Sequence, residues 1–76
     1  MSELRSVTGK RAIGAFENNG FAVARVSGSH HIMKKPGHRF VLSVPVHGNT
    51  QLKKGLLRAL IKAAGKTVEQ FLNDLE

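Results

Sequence analysis

The chain has 76 residues, with twelve Lys and Arg against five Asp and Glu, a formal charge of +7 and a pI of about 10.7. It has no cysteine, which excludes a disulfide framework and a thiolate zinc site. No apolar run approaches the roughly 18 residues a bilayer span requires, and the opening Met1-Ser2-Glu3-Leu4-Arg5 has no hydrophobic signal region, so a soluble, cytoplasmic protein of one domain over residues 1–76 is expected.

Residues 1–6 read as a loosely ordered start. The run from Thr8 to Gly20 predicts a short helix: Thr8 can cap its N-terminus, Ala12, Ile13 and Phe16 form an apolar stripe, and Gly20 suits a left-handed C-terminal residue. Gly14 weakens that helix and offers close packing. Three strands follow, over Phe21–Val26, His30–Lys34 and Arg39–Val44. Ser27-Gly28-Ser29 closes the first, Pro36-Gly37 is a turn pair between the second and third, and the third ends near Pro45. The short connections favour an antiparallel meander.

After a loop at His47-Gly48-Asn49-Thr50, the residues Leu57, Leu60, Ile61 and Ala64 stand at i, i+3, i+4 and i+7, an amphipathic helix ending before Gly65. Thr67-Val68-Glu69-Gln70 is a capping box, and Val68, Phe71, Leu72 and Leu75 continue as a last short helix. The order α-β-β-β-α-α predicts an α+β fold, a three-stranded antiparallel sheet with helices packed on one face.

The charge is unevenly placed. No Asp or Glu occurs between Glu17 and Glu69, yet nine of the twelve basic residues and all four histidines, His30, His31, His38 and His47, lie there. These cations are interleaved with apolar residues of the folded part, which points to a surface for a polyanion, nucleic acid first. A membrane surface fits poorly, since no helix pairs a cationic face with Trp or many Phe.

The segments Gly28-Ser29-His30-His31-Ile32-Met33, Val44-Pro45-Val46-His47-Gly48, Leu52-Lys53-Lys54-Gly55-Leu56-Leu57-Arg58 and Ala63-Ala64-Gly65, with Thr67-Val68-Glu69-Gln70-Phe71-Leu72, stand in an order that resembles the HicA family of bacterial toxins. The resemblance covers about Val7 to Leu75. It implies a double-stranded-RNA-binding-domain-like fold, an mRNA-cleaving endoribonuclease (an mRNA interferase), and a cognate HicB-type antitoxin covering the active site. It also carries the catalytic role to His30, with His31, one position on, as the competitor.

The residues can support that chemistry. RNA supplies its own nucleophile, the ribose 2'-OH, and an imidazole can take its proton or protonate the leaving 5'-oxygen without a metal. Successive strand residues face opposite sides, so His30 and His31 cannot readily share one site. Ile32 has the parity of His30 and Met33 that of His31, so the apolar pattern leaves the choice open. A second group would be His47, otherwise an ordinary loop histidine, or a lysine from the following helix start. Gly28 and Ser29 read equally as a tight turn and as an RNA contact, with a close backbone approach at Gly28 and hydrogen bonds to phosphate from Ser29.

Lys53 and Lys54 lie where a helix N-terminus already favours anions, and Arg58 and Lys62 extend the ridge at i+4 steps. Together they read as an RNA-binding face, against the plainer alternative of a solvated one. No cofactor or metal is expected: the histidines have no neighbouring carboxylate and no His-x-x-x-His spacing. Two other functions fit the composition, a non-catalytic RNA-binding module of the same fold and a basic protein whose only target is another protein. The first would keep its lysines without needing His30, and the second would show no salt-dependent RNA affinity.

Overall fold

The structure is a computed structural model, described here for residues 4–75. Its elements are α1 (Gly9–Asn18), β1 (Ala22–Ser27), β2 (His30–Lys34), β3 (Leu42–Pro45), α2 (Lys54–Ala63) and α3 (Val68–Asp74). The strands form one antiparallel sheet in the order β1-β2-β3, with β2 in the centre, and the fold is α+β. Among the described residues, no helix is long and apolar enough to cross a membrane.

The helix ends follow local chemistry. Thr8 caps α1, its hydroxyl accepting from the Arg11 amide at 3.3 Å. At the other end Gly20, with φ of 97°, lets its own amide reach Glu17 O and the Phe21 amide reach Phe16 O, a Schellman arrangement sealed by the two phenylalanine rings at 6.2 Å. The same pair of bonds, Gly65 to Lys62 and Lys66 to Ile61, ends α2. Thr67 and Gln70 complete the capping box of α3 in both directions.

Helices cover one face of the sheet. Met33, Leu42 and Val44 point into it and are fully buried beneath Phe16, Leu57, Ile61 and Phe71, with Phe16 and Phe71 at a ring separation of 5.3 Å. Each large apolar side chain so buried contributes about 1.5–3 kcal/mol. Of the loose start expected for residues 1–6, residues 1–3 lie outside the described residues. Leu4 is buried in the core with Val7. The Leu52 amide donates to Val7 O at 2.8 Å and Thr8 bridges to Gln51, so this segment is tied to the chain entering α2.

Two strand expectations change. The first strand is Ala22–Ser27, because Phe21 turns inward against Phe16. The third starts at Leu42, three residues later than the expected Arg39. The cause is His38, whose Nε2–H donates to the Ala63 carbonyl at 2.7 Å while its ring meets Phe21 and Phe40 edge to face. This clip holds the chain against the C-terminal end of α2, and pairing with β2 begins only beyond it. Gly14 has no heavy atom within 4 Å of where its Cβ would stand, so it provides no close packing. Gly9 does: a Cβ there would fall on the Pro45 carbonyl oxygen and lie 3.1 Å from Val46 Cγ2.

Candidate active site

The register decides which histidine faces where. His31 pairs with Val26 and Val44, in the row beside Met33 and Leu42 that faces the helices. It is half-buried, and its Nδ1 lies 3.4 Å from Ser29 O. His30 pairs with Ser27 and Pro45 on the uncovered face and is exposed. The two imidazoles therefore stand on opposite sides of the sheet, as strand alternation requires.

The turn before them has a conformational cause. Gly28 adopts φ of 59°, which L side chains rarely adopt, while the space around its missing Cβ is open, so the glycine serves the turn. Ser29 is half-buried, and its carbonyl accepts from the Val46 amide at 2.8 Å, fastening the turn to the end of β3.

Pro45 links this turn to the basic helix start. It is the ladder partner of His30, and it lines a hollow of about 210 Å³ with His47, Thr50, Gln51, Leu52, Lys53 and Leu56. Lys53 is the N-cap of α2, where its donor-only ammonium cannot bond the free helix amides, and its side chain is exposed. Lys54 opens the helix and Arg58 lies one turn on, both exposed. The fold thus brings His47 and Lys53 to one hollow and joins that hollow to His30 through a single residue. Gly9, packed on Pro45, holds α1 against the same place.

Sequence reasoning missed Gly9 and His38, which act through contacts far apart in the chain. It also missed the polar row of the uncovered sheet face, where Arg25 and Ser43 flank Ile32. The alternation of β2 was the available signal for that row, but a bulge in β1 hid the placement of Arg25.

Fold and site together define a class: a small basic α+β protein with a solvent-facing histidine on an uncovered sheet. Residues 9–66 match the family model described as HicA toxin of bacterial toxin-antitoxin systems. The chain belongs to the HicA family, and is thus a toxin of the kind that pairs with an antitoxin. No curated protein matches the sequence.

Proposed function

We propose that this toxin is a cytoplasmic, metal-independent endoribonuclease that cleaves mRNA, formed by one HicA-like domain over residues 1–76. The observation that carries the reading is the opposite placement of the two histidines. His30 is exposed on the uncovered face, where a phosphodiester has access, while His31 is half-buried on the helix side. His30 takes the proton of a ribose 2'-OH; the 2'-oxygen attacks the adjacent phosphorus, and the bond to the 5'-oxygen breaks. The products are a 2',3'-cyclic phosphate and a 5'-hydroxyl, whose proton comes from a second donor or from water.

Proton transfer of this kind is worth about 10²- to 10⁴-fold, so further stabilisation must come from charge beside the phosphorane. Lys53 and His47, in the hollow beyond Pro45, supply candidates for that charge and for the second proton. Lys53, Lys54 and Arg58 hold the RNA phosphates, and the amides at the start of α2 add donors there. Gly28 sets the turn, and the Ser29 hydroxyl offers a hydrogen bond to phosphate. The partner is a HicB-type antitoxin with an acidic surface, matched to the +7 charge of the toxin.

Cleavage of a single-stranded RNA in EDTA by the purified protein, beside His30→Ala and His31→Ala variants of checked fold, tests the assignment. Activity lost with His30→Ala and kept with His31→Ala, leaving cyclic phosphate ends, is the expected outcome. Loss with His31→Ala alone would refute the role of His30. Salt-dependent RNA binding without any cleavage would leave the non-catalytic module as the better description.

A further inference from the structure

The uncovered face of the sheet carries a second cationic feature, separate from the start of α2. Arg25, Ile32, Lys34, Val41 and Ser43 are among the residues lining an open hollow of about 540 Å³. Arg25, Ile32 and Ser43 form one cross-strand row, and Lys34 lies two residues beyond Ile32 on the same face. His30 lies two residues before Ile32, again on that face. With a rise of about 3.3 Å per residue, His30, Ile32 and Lys34 form a line roughly 13 Å long.

Arg25 reaches this face through a bulge. Val23 pairs with Met33, but Arg25 pairs with Ile32, so Ala24 is an extra residue in β1. In a regular ladder Arg25 would lie opposite His31, pointing toward the helices. The bulge turns the guanidinium to the open side, one of the recognised uses of such irregularities. No carboxylate lies between Glu17 and Glu69, so the sheet itself offers these cations no counter-ion. Val41 is 51% exposed and Ile32 half-buried, giving an apolar patch between the charges.

We infer that this face is the track for the single-stranded RNA flanking the cleavage point. Arg25 and Lys34 bind consecutive phosphates, the Ser43 hydroxyl hydrogen-bonds to phosphate or ribose, and a base lies on Ile32 and Val41 with the guanidinium plane available for stacking. The inference rests on the proposed ribonuclease only for placing the scissile phosphate at His30. The binding itself does not require cleavage.

The test uses a single-stranded 2'-O-methyl oligonucleotide, which keeps the phosphates and lacks the nucleophile. Its affinity is measured by fluorescence anisotropy across a salt series for wild type, Arg25→Ala/Lys34→Ala and the charge-retaining Arg25→Lys/Lys34→Arg. Two lost phosphate contacts make the slope of log K against log salt shallower by about 1.4, with affinity about tenfold lower at low salt. The charge-retaining variant keeps the wild-type slope, and in the wild type the methyl resonances of Ile32 and Val41 shift on titration. The exposed positions of Arg25 and Lys34 allow the variants to keep the wild-type melting temperature.

An unchanged slope and affinity in the double alanine variant overturns the inference. A face reserved for an acidic protein would give that result. So does a wild type that does not bind the oligonucleotide. Binding that depends on Arg25 and Lys34, in a protein that leaves unmodified RNA intact, supports the track and removes only the ribonuclease.

Discussion

Substituting alanine for either of two glycines in α1 has opposite consequences, and the pair tests how the helix is seated. Both positions are helical, where glycine costs up to about 1 kcal/mol relative to alanine. At Gly14 no heavy atom lies within 4 Å of the new Cβ, so Gly14→Ala collects that gain, about 0.5–1 kcal/mol. At Gly9 the Cβ would fall on the Pro45 carbonyl oxygen, with Val46 Cγ2 at 3.1 Å. The obstacle is backbone held in the sheet, so relief requires α1 to move off β3 or the end of β3 to shift.

Overpacking of this kind costs about 1–3 kcal/mol. Only part of the helix gain applies at a first helical position, so Gly9→Ala loses about 1–2 kcal/mol net. In a domain of this size each kcal/mol moves Tm by about 4–8 °C. Thermal and urea unfolding should therefore place Gly9→Ala below the wild type and Gly14→Ala above it. Because Pro45 is the ladder partner of His30, the proposed ribonuclease activity should also fall in Gly9→Ala at temperatures where it remains folded. A Gly9→Ala protein as stable as the wild type would refute the seating of α1 on Pro45.

Three further outcomes are expected. His38→Ala removes the clip on Ala63 and leaves that carbonyl without its donor, destabilising the fold by about 1–2 kcal/mol in urea unfolding; amide exchange at residues 39–41 accelerates more than at β2. Thr67→Ala opens the capping box of α3 and costs about 0.5–2 kcal/mol, read as a lower urea midpoint at constant slope. Lys53→Ala/Lys54→Ala weakens RNA binding and makes its salt slope shallower by about 1.4, with the melting temperature little changed because both side chains are exposed.

Much of the architecture was legible along the chain because its causes are local. Thr8, Gly20, Gly65 and the Thr67-Gln70 pair act within a turn of where they stand, and His30–Lys34 is bounded by Gly28 on one side and Pro36 on the other. The candidate site was legible as composition, a histidine pair in a carboxylate-free basic segment, and less so as geometry. The late start of β3 was hidden because its cause, the bond from His38 to Ala63, spans 25 residues.

Element order, helix caps and surface chemistry are readable along the chain, since they depend on propensities and spacings within a few residues. Orientation is not, and it had to come from the packed fold. Alternation places His30 and His31 on opposite faces but does not say which face the helices cover; Met33, Leu42 and Val44, buried beneath them, settle it. The bulge at Ala24 then reverses the alternation of β1 and carries Arg25 to the side of His30. Both follow from how strands pair and which face the helices exclude from water, and neither exists until segments distant in the chain meet.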